Sequence, residues 1–229
     1  MLSRPPPGGL RKGKAVYRPS YHREDRLEVQ HGLIRAHPLG ALVTLGEAGL
    51  VANHIPFVLD AGAGALGTLR AHIAKANDQW RSFSREVEAL VIFQGPQSYI
   101  TPSWYATKRE TGKVVPTWNY AVVHAYGPIR VVEDGGWLRD QIERVTALQE
   151  AARAEPWAVS DAPGSFIDAM TKAIAGIEIE ITRLEGKWKV SQNRTAADRQ
   201  GVAEGLRSEH IEASDSASMA QLVEKFSQK

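Results

Sequence analysis

The sequence predicts an α+β fold made mainly of antiparallel strands, a barrel with flanking helices, and three observations carry that expectation. Strand signals arrive as a block before the most regular helix, the links between them are short and Gly-rich, and a late segment alternates apolar and polar residues with period two. Alternating βαβ units would interleave strands and helices evenly, which this chain does not do.

In chain order, "RPPPGGLRKGK" begins a Pro/Gly-rich stretch in which Arg4, Arg11, Lys12, Lys14, Arg18 and Arg23 precede the first acid, Glu24. Residues 1–15 read as a solvated basic tail and not as a nucleic-acid arm. In "DRLEVQHGLIRAHP", Leu27, Leu33 and Ile34 fall at helical spacing and the pattern stops before Pro38, which predicts a helix over residues 25–37. "ALVTLG" and "LVANHIPFVL" flank Gly46 to Gly49, and "ALGTLRAHIA" follows "DAGAG", as in successive hairpins. "VEALVIFQG" is a buried strand closing at Gly95-Pro96, "SYITPSWY" carries on, and "VVPTWNYAVVHAYGPIRVV", residues 114–132, supplies another long strand or hairpin. "GGWLRDQIERVTALQEAAR" puts Trp137, Leu138, Ile142, Val145 and Leu148 on one helical stripe. A second helix, "PGSFIDAMTKAIAG", starts at a proline and ends at Gly176. Ile177, Ile179 and Ile181 then alternate with Glu178, Glu180 and Thr182, a strand with one wet face. Residues 208–229 read as a polar linker and a short amphipathic helix, an appendage to one main domain over 16–207.

The hydrophobic share of 43% and charged share of 24% are those of a globular protein. With no cysteine there is no disulfide and no thiolate chemistry. No apolar run reaches membrane-span length and no secretory signal pattern is present, so a cytoplasmic location is expected. The net charge of +2, from 28 basic and 26 acidic residues, provides no broad field for nucleic acid.

"GAGALG", residues 62–67, fits the G-x-G-x-x-G pattern of a dinucleotide turn, but two features weigh against it. Pro56 lies in the preceding strand, where it has no N–H to donate, and "ALVIFQG" closes on Gln94 where a ribose-binding acid should sit. A hairpin loop is the better explanation. The seven His are scattered, with no H-E-x-x-H, and Ser103 lies in "TPSWY" outside any G-x-S-x-G elbow, so neither a metal site nor a serine nucleophile is expected.

What remains is a set of polar-aromatic runs on strands. In "EGKWKVSQNR" the period of two puts Lys187, Lys189 and Ser191 on one face and Trp188, Val190 and Gln192 on the other. Two cations and a hydroxyl in register suit a phosphate; lysines guarding an exposed sheet edge would leave the same pattern. "ANHIPF" separates Ala52, His54 and Pro56 from Asn53, Ile55 and Phe57, and "GTLRAHIAKANDQW" adds Thr68, His72, Lys75, Asn77 and Trp80 near a strand end. Taken singly, residues such as His54 and His72 are more often hydrogen-bonded structural histidines than catalytic ones, and Trp104, Trp118 and Tyr120 are by default core or interface residues.

Eight runs in order, "HPLGALVT", "GLVANHIPF", "AHIAKANDQW", "VIFQGPQSYITPSWY", "VVPTWNYAVVHAYG", "PWAVSDAP", "IAGIEIEITRLEGKWKVSQNR" and "DRQGVAEGL", together resemble the PaiB family, described as FMN-binding negative transcriptional regulators, over residues 16–207. The resemblance implies a split β-barrel of the kind shared with pyridoxamine phosphate oxidases, and a homodimer with FMN at the subunit interface. It implies that Ala52, Asn53, His54, Ile55, Pro56 and Phe57 run beside the isoalloxazine. Gly67, Thr68, His72, Lys75 and Asn77 would hold the phosphate and ribityl chain, and Gln94 would face the ring. Trp118, Asn119, Trp188, Lys189, Ser191 and Gln192 would close the pocket, from the same chain or its partner. Direct DNA binding has no support in the sequence, which shows no helix-turn-helix and no basic recognition helix. Two roles follow from the resemblance: repression of protease and sporulation-type genes through an unknown target, or a flavin-dependent oxidoreductase with a nicotinamide or similar donor.

Overall fold

A computed structural model describes residues 16–208 and 215–226; the tail expected over 1–15 lies outside the described residues, as do 209–214 and 227–229. Strands are numbered along the chain. A six-stranded antiparallel sheet has the order β1 (Arg23–Glu24), β10 (Arg183–Lys189), β7 (Thr117–Gly127), β6 (Ala89–Ile100), β2 (Leu39–Gly46) and β3 (Gly49–Pro56). A four-stranded sheet has the order β4 (Val58–Asp60), β5 (Thr68–Ala74), β9 (Ile174–Glu180) and β8 (Ile129–Val132). The helices are α1 (Leu27–Ala36), α2 (Ala106–Thr111), α3 (Gly135–Glu150), α4 (Gly164–Lys172), α5 (Ala196–Ser208) and α6 (Asp215–Lys225).

The two sheets close on one core because the chain passes from one to the other at short bends, β3 to β4 through Phe57, β7 to β8 through Pro128 and β9 to β10 through Ile181 and Thr182, as well as by the longer link from β5 to β6. At the second bend Gly127 is required by space: a Cβ there would lie 2.1 Å from the Glu180 carbonyl oxygen. Leu42, Val91, Phe93 and Val123 from the larger sheet meet Leu69, Ala71, Ile177 and Ile179 from the smaller one, and all are fully buried. Phe57 and Phe93 meet edge to face, with centroids 5.8 Å apart. The run 62–67 joins β4 to β5, which pair antiparallel, so it is a hairpin loop; Gly64 and Gly67 take φ +78° and +91°, values that favour glycine.

Two boundaries differ from the sequence expectation. β6 continues through Gly95-Pro96 to Ile100, because a register shift between Gln94 and Gln97 leaves the proline where no ladder hydrogen bond is asked of it. The helix expected to reach Gly176 ends at Lys172, and Ile174, Ala175 and Gly176 belong to β9, paired with Ala74, Ile73 and His72. Tertiary contact decides this: Gly176 lies under Trp137 of α3, whose ring a Cβ would approach to 2.4 Å.

Helices cover most remaining apolar surface. α1 buries Leu33 and Ile34, and α6 buries Met219, Ala220 and Val223, with Phe226 just beyond it stacked 6.5 Å from Trp188. Gly201 and Gly205 make a flat strip on α5 that receives Trp104, and Asp198 ties α5 to α2 by accepting from the Thr107 N–H at 2.9 Å and hydroxyl at 2.8 Å. Among the described residues no helix is long and apolar enough to cross a membrane. Among the described residues no α-helix covers the face of the six-stranded sheet that points away from the core, where Leu39, Leu50 and Trp118 stand exposed.

Candidate functional site

Strand register arranges that outer face in rows. His54, Ala41, Ile92, His124 and Glu185 form one, Gln94, Val122 and Lys187 the next, then Gln97, Tyr120 and Lys189, and finally Tyr99 and Trp118. Their strand neighbours point inward, which is why Leu42, Val91 and Val123 are buried while Leu39, Leu45, Leu50, Tyr99 and Trp118 stand exposed. Such a concentration of exposed apolar side chains is characteristic of a binding surface.

A cavity of about 360 Å³ opens where β7 and β10 reach the turn at 191–194. Its walls include Tyr17, Tyr21, His22, Asn119, Tyr120, Lys187, Lys189, Ser191 and Arg194, and among the described residues no carboxylate lines it. Lys189 Nζ donates to the Trp118 carbonyl at 2.7 Å and to Thr117 Oγ1. Lys187 Nζ sits 5.3 Å from the Tyr120 ring centroid and 5.5 Å from that of Tyr17, and the Arg194 guanidinium lies 4.6 Å from that of Tyr105. Among the described residues none of these three cations forms an ion pair. Burial, and then the charges of Lys187 and Arg194, hold the Lys189 ammonium below its ordinary pKa. The turn that brings Arg194 to the site bends at Ser191, whose φ of +66° is unusual for a residue with a side chain. Buried Asn119 holds Ser191 in place, donating from Nδ2 to its Oγ at 3.0 Å.

A second cavity of about 450 Å³ shares Tyr120 and Lys187 with the first and is lined further by Ile92, Gln94, Gln97, Trp118, Val122 and His124. Glu185, the acid at the end of the His124 row, is buried and already neutralised. It accepts from Arg183 at 2.7 Å, from the Tyr126 hydroxyl at 3.3 Å and from the Val16 N–H at 3.3 Å, and pairs with Arg18 at 3.8 Å. The two cavities together therefore present positive charge at one end and aromatic and amide groups at the other. This arrangement suits a planar ring that carries an anionic substituent, at volumes usual for small-molecule sites.

A sequence model described as "Putative FMN-binding domain" matches residues 16–183. The "Protease synthase and sporulation protein PAI 2" of Bacillus subtilis is 30% identical over 209 residues, covering 91% of this chain and 97% of that protein. This chain is a member of the PaiB family of FMN-binding proteins. Another relative, "Uncharacterized protein AN0679" of Emericella nidulans, is 40% identical over 226 residues, covering 83% of this chain and 90% of its own length. Among solved structures, the flavocytochrome Anf3 from Azotobacter vinelandii aligns with a TM-score of 0.52 at 12% identity, over 73% of this chain and 69% of that one. The FAD and heme binding protein from Mycobacterium smegmatis aligns with a TM-score of 0.51 at 16% identity, over 72% and 71%. These likenesses establish the split-barrel fold.

The residues that the PaiB resemblance marks fall into three groups. Gln94, Trp118, Asn119, Lys189 and Ser191 converge on the two adjoining cavities. Ala52, His54 and Pro56 share the outer face on edge strand β3, while Ile55 is buried beneath it. Asn53, also inward, donates to Gln79 Oε1 at 2.8 Å, and the Gln79 amide in turn binds the Leu42 and Val51 carbonyls. Trp188 faces α6, and Gln192 staples its own turn by accepting from Val190 N at 2.8 Å. The third group lies on or beside the smaller sheet. A Cβ at Gly67 would lie 3.0 Å from Leu59 and 3.4 Å from His31, Thr68 donates to the Ala63 carbonyl at 2.8 Å, and Asn77 caps the turn at Gln79. His72 has its Nδ1 buried without a partner, and burial lowers its pKa. Lys75 pairs with Glu133 at 3.6 Å. Within one chain this group does not meet the cationic cavity.

Arg194, His22 and His124 line the cavities without being among the residues that the sequence marks for the site. His124 was within reach of the same alternation that marks Trp118 and Tyr120, since all three are even-numbered positions of β7. Arg194 and His22 arrive by way of turns, where no periodicity applies. FMN, which the family binds, has a phosphate and a flat heterocycle; Lys187, Lys189 and Arg194, which form no ion pair among the described residues, suit the first, and Tyr120 and Trp118 suit the second.

Proposed function

We propose that two copies of this chain pack through the outer face of the six-stranded sheet and hold FMN where the cationic cavity opens onto that face. Lys187, Lys189 and Arg194 take the phosphate, while Trp118, Tyr120 and Gln94 lie along the ring. The observation that carries this reading is the cationic cavity without a carboxylate, at the margin of an exposed apolar sheet face. The uncovered backbone edge of β3, with Ala52, His54 and Pro56, lies on the same face and belongs to the subunit contact. A partner chain in turn covers part of the ring, bringing its own β3 edge with Ala52, His54 and Pro56 to bear on it.

When bound, FMN supplies electron-transfer chemistry, and the chain's part is to position it and exclude water. The role that follows is that of a cytoplasmic PaiB-type regulator whose state depends on its flavin, acting on gene expression through a target other than operator DNA. A second reading, a flavin-dependent oxidoreductase, is favoured by the joint size of the two adjoining cavities, about 360 and 450 Å³, which together take a flavin and leave room for a small molecule beside it. The test is an absorption spectrum of the purified protein, identification of the released chromophore, and the mass in solution by light scattering. A yellow dimer releasing FMN is expected; a colourless monomer that ignores added FMN overturns the proposal. Bleaching of the flavin by a nicotinamide donor would select the second reading, and its absence the first.

A further inference from the structure

The second cavity contains hydrogen-bonding groups that the chain leaves unused. The side chain of His124, on the middle of β7, makes no hydrogen bond among the described residues, and its Nδ1 is both buried and unpartnered. Gln94 and Gln97, from the neighbouring strand β6, line the same cavity. The charged groups that face His124 are committed elsewhere: Glu185 to Arg183, Arg18 and Tyr126, and Lys187 to the faces of Tyr17 and Tyr120. A buried polar atom left without a partner lowers the stability of the folded chain. Nδ1 is sealed from the cavity, so what a ligand there can use is the other ring nitrogen, Nε2, and a histidine with no side-chain partner in the protein is explained when a ligand engages that atom.

Burial holds the imidazole below its ordinary pKa; Glu185 opposes this and Arg18, Arg183 and Lys187 reinforce it, so the ring is neutral near pH 7. A neutral imidazole has one donor and one acceptor nitrogen. A proton on Nδ1 would be a buried N–H without acceptor, the rarer and costlier kind of orphan, so the proton belongs on Nε2. The side chain thus offers the cavity a single N–H donor, on a floor of Ile92 and Val122.

We propose that His124 is a flavin-contacting residue, its Nε2–H donating to the polar edge of the isoalloxazine ring while Lys189 serves the phosphate at the other end. This rests on the reading that FMN occupies the outer face. It predicts a division of labour that separates the two ends of the ligand. His124→Phe weakens binding of FMN and of riboflavin by the same factor, about tenfold, because both carry the ring. The apo variant melts at the same temperature as wild type or higher, since an unsatisfied polar group has been removed. His124→Gln, which keeps an N–H donor, recovers part of the affinity.

The experiment is titration of wild type, His124→Phe and His124→Gln with FMN and with riboflavin, followed by flavin fluorescence quenching, alongside thermal melts of the apo proteins. Unchanged affinity of His124→Phe for both flavins overturns the inference and leaves the FMN site standing. Loss of affinity together with a lower apo melting temperature assigns His124 a structural role and equally overturns it. Failure of the wild type to bind either flavin removes the FMN site itself, and the inference with it.

Discussion

Lys189 is the residue whose replacement tests the cationic cavity most directly. We predict that Lys189→Met, which keeps the length of the side chain and removes its charge, weakens FMN binding by about 10- to 150-fold. That range is a charge-assisted hydrogen bond of about 1.5–3 kcal/mol, converted at about 1.4 kcal/mol per decade. The apo protein should change much less. Lys187 lies two residues away on the same strand face, about 6.6 Å along the backbone, so mutual repulsion of the two ammonium groups is on the order of 0.6 kcal/mol in water and 2.5 kcal/mol at an effective dielectric of about 20. Relief of that repulsion offsets loss of the donors to Thr117 Oγ1 and the Trp118 carbonyl. The assay is flavin fluorescence quenching with FMN and with riboflavin, at low and moderate salt. Riboflavin, which has no phosphate, should bind Lys189→Met as it binds wild type, and the salt dependence of FMN binding should flatten in the variant. Equal losses for both flavins, or none for FMN, would refute a phosphate at Lys189. Lys189→Arg keeps the charge but replaces a compact ammonium by a planar fork, so partial recovery is expected.

Other predictions concern the frame around the site. Gly127→Ala puts a methyl 2.1 Å from the Glu180 carbonyl where two backbones cross, and should cost about 3 kcal/mol or more in denaturant unfolding; a near-neutral result would mean that the bend relaxes freely. Asp198 is subject to burial, which raises its pKa, but the hydrogen bonds from Thr107 and Thr195 and the charge of Arg194 outweigh this, so its folded-state pKa lies below the ordinary value. Its contribution is therefore complete above the unfolded pKa and is lost as pH falls through the folded one, in the acid range below about pH 5. Asp198→Asn should destabilise the protein near neutrality and flatten the acid limb of the stability curve; an unchanged acid limb would count against this lock between α2 and α5. Val43→Lys places a charge in the middle of the outer face, in the row with Ala52 and Leu90, and should convert a dimer to monomers in sedimentation velocity. A variant that stays dimeric moves the subunit contact elsewhere.

The architecture was legible because its main cause is local. The alternation in "ALVTLG", "LVIFQG" and "IEIEI" reflects one buried face per strand, and the glycine clusters mark the turns between strands. Boundaries failed where a distant contact decided them. Nothing in "MTKAIAG" announces that Trp137 will lie over Gly176, and nothing local shows that a bulge lets β6 pass through Pro96. The sequence carries no clear helix signal over α5, since its glycines lower helix propensity and are retained for the close approach of Trp104.

By itself the sequence determined the strand-dominated fold, the family, and the pairing of lysines with aromatic residues on β7 and β10, since each depends on neighbours a few residues apart or on motifs read in order. Only the tertiary structure decided which of those residues meet. Register set Gln94, Val122 and Lys187 side by side, a left-handed turn at Ser191 brought in Arg194, and the packing of one sheet on the other sent His72 and Lys75 to a separate surface. A site is an arrangement of side chains across strands far apart in the chain, and the free energy that fixes that arrangement comes from the core, not from the residues that line the site.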